Sequence, residues 1–249
     1  MHSFSVHDFD MGLLRLFNPS IYELTVLFFG VGRGEQVNFR TILLACLPSG
    51  QNLEALSVVV PVSVLDIESL PQLYPRLRHL KVDEGGILPK QLALLTTLPN
   101  LEYLSIVLTP FVPLDIPVTF TELRSLDIFS DAFVWIDVLI AHMDAPKLRS
   151  LFISEMHPDS DETYWEKLSH HLRTVASKYP TLTTFRWDNR DIASAGLEST
   201  SRAGMTLAEL FDPLLSLRAM RSFSASSLGP LIPYSSSEYR CRKQEDHVD

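Results

Sequence analysis

Cysteine is nearly missing from this chain: Cys46 and Cys241 are the two among 249 residues. So few, so far apart, argue against a disulfide framework and against a cysteine-rich zinc site. No stretch reaches the roughly 18 consecutive apolar residues that a membrane-spanning helix needs, and no basic amphipathic helix is present to lie on a membrane surface. The opening MHSFSVHDFD lacks the basic segment and apolar core of a secretory signal. The expected location is intracellular, cytoplasmic or nuclear, with no membrane partner.

Positive charge is also short. Lysine and arginine number 21 against 30 acidic residues, a net of −9. The deficit holds in both halves, with 8 basic and 12 acidic residues in 1–125 and 13 and 18 in 126–249. Nucleic-acid binding needs a basic footprint that displaces counterions from phosphates, so no nucleic acid is expected as a partner.

Glycine is sparse too, 10 residues in all. The one dense run, Gly30-Val31-Gly32-Arg33-Gly34, lacks the Gly-Lys-Ser/Thr ending of a phosphate loop and the third glycine of the dinucleotide fingerprint. It reads as a flexible turn between a strand and a helix at 36–47. The acidic stretch HPDSDE at 157–162 lacks the glycine turn and distal glutamate of a calcium loop. His170 and His171 are adjacent, so on a helix they point about 100° apart and do not share a metal easily; both read as surface histidines. Cys46 sits among apolar residues and reads as core. No His-Glu-x-x-His or Gly-x-Ser-x-Gly motif occurs. The expectation is a protein that is not an enzyme, with no cofactor, no metal and no catalytic residue.

What the chain has in quantity is leucine, 40 residues, and its placement is periodic. The phrase Leu-x-x-Leu-x-apolar recurs as LEALSV at 53–58, LRHLKV at 77–82, LEYLSI at 101–106, LRSLDI at 123–128 and LRSLFI at 148–153. Weaker copies are IYELTV at 21–26, LTTFRW at 182–187 and MRSFSA at 220–225. Successive copies start 32, 24, 24, 22, 25, 34 and 38 residues apart, and the central spacings match one leucine-rich repeat each. Four copies follow a proline phrase: Tyr74-Pro75-Arg76-Leu77, Leu98-Pro99-Asn100-Leu101, Ala145-Pro146-Lys147-Leu148 and Tyr179-Pro180-Thr181-Leu182. Proline there disfavours helix in the residue before it and suits the passage from helix to strand.

The fold class expected is α/β: an irregular leucine-rich-repeat solenoid of about eight repeats over residues 1–233. Parallel strands line the concave face and helices or loops the convex face. A disordered tail is expected over 234–249. Alternate strand residues point to opposite faces, so Leu80 and Val82 turn inward, Lys81 turns outward, and Leu77 sits just before the strand. No single strand buries enough to fold alone; stacked copies close a continuous core. Helices are expected at 89–98 from Pro89, at 131–143 capped by Asp131, at 161–178, and at 206–219 with a Thr206/Glu209 capping box and a break or kink at Pro213. Loops are expected at 107–120 and 188–204.

The phrases LPNLEYLSI, FTELRSLDI and APKLRSLFI, and the helix WIDVLIAHMDAP that runs into the last of them, resemble the leucine-rich-repeat region of fungal F-box proteins of the mushroom type. The resemblance covers residues 13–226. It implies protein recognition, as in the substrate-binding part of a ubiquitin-ligase receptor. The F-box itself, the helical module that docks the adaptor of a cullin ligase, has no counterpart before Ile21. An adaptor is expected as a partner only if an F-box is supplied elsewhere. A free-standing repeat scaffold is the alternative, and an enzyme on a non-repeat α/β fold the more remote one.

Residues between the core leucines face the concave side, the usual binding surface of repeat proteins. Ser105 is expected there, exposed. Aromatic and arginine residues are the types enriched in interface hot spots. The candidate partner-binding residues are Lys81, Tyr103, Asp127, Phe129, Phe152 and Arg186, for an unknown protein partner.

Overall fold

In a computed structural model, the structure describes residues 4–5, 22–27, 52–59, 67–108, 117–155, 164–189 and 207–227. Each leucine phrase becomes the start of a strand. The strands are β1 Phe4–Ser5, β2 Glu23–Leu27, β3 Ala55–Val59, β4 His79–Ile87 and β5 Tyr103–Leu108. Further along come β6 Val118–Thr119, β7 Ser125–Ser130, β8 Met143–Asp144, β9 Ser150–Glu155, β10 Thr184–Asn189 and β11 Ser222–Ser227. The leading leucine of each phrase precedes its strand by two residues. Leu53, Leu77, Leu101, Leu123, Leu148 and Leu182 are all buried there.

Nine strands form one sheet in the order β1-β2-β3-β4-β5-β7-β9-β10-β11, and each neighbouring pair is parallel. The fold is α/β with a parallel sheet whose strands follow chain order. The five clean phrases lie side by side, as their equal spacing implies. β1 precedes the eight expected strands; at two residues it is too short to show alternation. β6 and β8 make a separate parallel pair. They correct the loop expected at 107–120, where Val107 and Leu108 instead complete β5 and Val118–Thr119 form β6.

Register places like residues in rows. Leu24, Leu56, Leu80, Leu104, Leu126, Leu151, Phe185 and Phe223 form one inward row. Val58, Val82, Ile106, Ile128, Ile153 and Trp187 form the next, and both rows are buried in one continuous core. β4 leaves the common register between Val82 and Ile87. Gly86, at φ 60°, takes a left-handed conformation that costs glycine little and brings Ile87 back beside Leu108.

The proline phrases are turns. Leu77 N donates to Tyr74 O at 3.0 Å, Leu101 N to Leu98 O at 3.4 Å, Leu148 N to Ala145 O at 3.0 Å, and Leu182 N to Tyr179 O at 3.0 Å. Proline occupies the second position of each four-residue turn, where its fixed φ is pre-set. A fifth such bond, Met220 N to Leu217 O at 3.1 Å, forms without proline.

The helices are α1 Leu70–Leu73, preceded by a 3₁₀ turn at Ile67–Ser69, α2 Pro89–Leu95, α3 Phe133–His142, α4 Tyr164–Lys178 and α5 Leu207–Leu215. α2 starts at its proline, and Gln91 Oε1 accepts the Leu88 amide at 2.9 Å. Asp131 does not cap α3. The flanking residue is Ala132, whose amide is bonded by Ser130 Oγ at 3.3 Å. α5 passes through Pro213 and ends two residues later, because a proline in the last turn forfeits a single backbone bond. Phe211 of α5 packs on the inward side chains Trp187 and Phe223, which puts the helix and the sheet in the same core. The Gly30–Gly34 run, the 36–47 helix, Cys46, residues 157–162, 190–204 and the 234–249 tail lie outside the described residues.

Candidate functional site

The face opposite the core is built from the remaining rows. Thr25, Ser57, Lys81, Ser105, Asp127, Phe152, Arg186 and Ser224 are register partners across eight strands. The six candidate residues all fall on this face: Lys81, Asp127, Phe152 and Arg186 in that row, Tyr103 one row before it, and Phe129 one row after it. They form two linked groups.

The aromatic group lies on β7, β9 and β10. The rings of Phe129 and Phe152 meet edge to face, centroids 5.5 Å apart at 85°. Arg186 lies over the Phe152 ring with Cζ 4.9 Å from its centroid. This arrangement is favoured by the ring quadrupole in both contacts. Phe129 and Phe152 are half-buried, and Arg186 is exposed.

The polar group lies on β4, β5 and β7. The Tyr103 hydroxyl donates to Asp127 Oδ2 at 2.6 Å. Lys81 Nζ lies 2.8 Å from Asp83 Oδ2. Burial pushes the Asp127 carboxyl above the ordinary aspartate range, against the opposing pull of the Tyr103 hydrogen bond and of the Lys81 and Arg186 charges. Burial likewise raises the Tyr103 phenol, helped by its bond to Asp127. The phenol therefore stays protonated and acts as a donor. Arg186 is the hinge between the groups: it covers a ring on one side and its charge reaches Asp127 on the other.

Ser105 is a correction. It has outward parity but is fully buried, and its Oγ makes no hydrogen bond of ordinary geometry. A serine between Lys81 and Asp127 across the strands, and between Tyr103 and Val107 along its own turn of the pleat, is roofed by longer neighbours. Ser154 and Asp188 are buried on the same face. His171 is a second correction: it is buried, not on the surface, with Nδ1 3.0 Å from Asp137 Oδ1 and its ring 5.0 Å from that of Phe133. The signal was in the spacing, since Leu168, His171, Leu172 and Val175 make one helical stripe. His170 is exposed.

The Tyr103–Asp127 bond and the Arg186–Phe152 stack were legible in principle. Both follow once the phrases are aligned at their leucines, because neighbouring copies then place these residues on adjacent strands. The arrangement offers an aromatic surface, a guanidinium and a held carboxylate, groups suited to non-covalent contact. Among the described residues no cluster of three or more His, Cys, Asp or Glu side chains could hold a metal ion. No helix of the described residues is long and apolar enough to cross a membrane.

No family model and no curated protein matches the sequence. Among solved structures, a Bacteroides fragilis protein determined as a structural genomics target is similar, with 14% identity and a TM-score of 0.41. The similarity covers 84% of this chain and 61% of that one, so this chain spans less than two thirds of that protein's length.

Proposed function

We propose that this chain is an irregular leucine-rich-repeat solenoid whose open sheet face, the concave side, recognises a partner protein. The observation that carries the reading is the Phe129–Phe152–Arg186 stack, with the Tyr103–Asp127 pair beside it, on the face turned away from the core. The sequential parallel order of the strands and the repeat spacing support the solenoid. The phrases shared in style with fungal F-box proteins support a role as the substrate-binding part of a ubiquitin-ligase receptor. A cullin-ligase adaptor enters only where an F-box is supplied elsewhere; a scaffold unrelated to ubiquitin ligation keeps the same face and the same anchors.

The test is a pull-down from the native source with wild type and a Phe152→Ala, Arg186→Ala variant, folding checked by circular dichroism. A central anchor is worth at least ~2 kcal/mol of binding, or about 30-fold in affinity. The folded variant is expected to lose partners that the wild type retains. Retention of every partner overturns the reading. Ligase subunits among the lost partners favour the receptor over the scaffold.

A further inference from the structure

The residue after each leading leucine stands at the rim where the strands begin. Glu54, Arg78, Glu102 and Arg124 occupy the first half of this row, and Arg149, Thr183 and Arg221 the second. From Arg78 onward each amide donates to the carbonyl of the preceding member, at 2.7–2.8 Å. The first half neutralises itself, with Arg78 2.7 Å from Glu102 and 3.9 Å from Glu54.

The arginines from Arg124 onward form no such pairs among the described residues. Arg124, Arg149 and Arg221 are exposed, and among the described residues none of them forms a salt bridge. Glu122, two residues before Arg124, is held by Lys147 at 2.7 Å. Like charges on neighbouring strands repel. Arg124 still feels the charge of Glu102; Arg149 and Arg221 have no acidic partner among the described residues, which stands out in a chain of net charge −9.

The row next to these arginines on the open face is made of hydroxyls. Ser125, Ser150, Thr184 and Ser222 are register partners in turn. Among the described residues their side chains form no hydrogen bond, and none is bulky enough to close the shelf. Arg186 stands on the far side of that row. Arginines without a salt bridge and hydroxyls without a hydrogen bond, among the described residues, thus occupy adjacent rows at the end of the sheet where the strands begin.

We propose that this strip binds an extended acidic segment of a partner protein. Its carboxylates pair with Arg124, Arg149 and Arg221, and its chain lies across the hydroxyl row. The inference rests on the reading of the open face as a protein-recognition surface, and adds the chemistry of the partner. Guanidinium matches carboxylate in a bidentate fork. From β7 to β11 there are three strand spacings, about 14 Å, and acidic residues at alternate positions of an extended peptide cover about 13 Å in five residues. Arginines spread singly along a line suit single carboxylates better than one phosphate, which needs them converged. A nucleic-acid duplex carries a charge about every 1.7 Å, far more than three arginines neutralise in an acidic protein.

The probe is a fluorescein-labelled peptide with glutamate at three alternate positions and glycine between, followed by anisotropy with the full chain at low salt. Binding is expected. An Arg149→Gln, Arg221→Gln variant, shown folded by circular dichroism, should weaken it at least tenfold. Arg76→Gln should leave it unchanged, since Arg76 lies on the same rim but is bonded to Asn52 at 2.9 Å. No binding of the glutamate peptide, or equal loss with Arg76→Gln, overturns the proposal. So does tighter binding of a peptide bearing a single phosphoserine, or of a single-stranded oligonucleotide. If Phe152→Ala, Arg186→Ala abolishes partner capture while the glutamate peptide fails to bind, the recognition face stands and the acidic partner alone is refuted.

Discussion

Ser105 and Leu104 are neighbours of opposite parity, and both are fully buried. Alternation alone assigns Ser105 to solvent; the size of the residues around it assigns it to the interior. The difference is measurable. Leu104→Ala should cost about 2–5 kcal/mol, as for buried leucines generally. Ser105→Leu should cost about 1–3 kcal/mol by overpacking, whereas an exposed site would change by less than about 0.5 kcal/mol. Denaturant melts of the two variants check this. The two perturbed aspartates make a second contrast. The His171 hydrogen bond holds the Asp137 carboxyl below its ordinary range, while burial holds Asp127 above it. Asp137 therefore adds stability that is present above the unfolded pKa, about 3.9, and is lost as pH falls further through its folded pKa. Asp127 acts with the opposite sign: its charged form is a cost near neutral pH, relieved as pH falls through its raised pKa. Asp137→Asn should flatten the acid-side loss of stability, and Asp127→Asn should remove a gain on mild acidification. Chemical denaturation of both variants between pH 3 and 7 reads the two slopes; slopes that shift in the same direction contradict the assignment.

At the scale of elements, most strands and helix starts were legible because each carries its own local signal. The leucine phrase marks where a strand begins. Pro89 marks the first residue of α2, and the proline phrases mark four turns. What escaped were pieces shorter than their period: β1, β6 and β8 have two residues each, too few for alternation to be seen, and α1, with four residues after a three-residue 3₁₀ turn, is too short to show a helical stripe. The end of α3 also depends on a residue far along the chain. Lys178 Nζ, at the end of α4, donates to the carbonyls of Ile140 at 2.9 Å and Ala141 at 2.6 Å. Cations at a helix C-terminus satisfy carbonyls left without intrahelical partners and oppose the negative end of the dipole. Burial lowers the Lys178 pKa, with Asp144 opposing it. Lys178→Gln should cost about 1 kcal/mol, read as a lower melting temperature. No local window could show this bond, because it joins residues 37 and 38 apart.

Across the whole molecule, the order of the strands was the most legible feature and the contacts on their open face the least. Equal spacing and equal patterning leave parallel stacking in chain order as the arrangement that puts every leucine beside its counterpart. Side-chain partners such as Tyr103 with Asp127 depend on register to the residue, which the phrases specify only once they are stacked. Both functional proposals rest on that register: residues at one offset in successive phrases must form one row across the open face. Spin-label distances test it directly. With Cys46 and Cys241 changed to serine, labels are placed at Ser57 paired in turn with Phe152, Arg186 and Ser224. These positions lie four, five and six strand spacings from Ser57, or about 19, 24 and 29 Å between backbones. The account predicts three distances that rise in that order by about 5 Å per strand; two of them equal, or the order reversed, would contradict it.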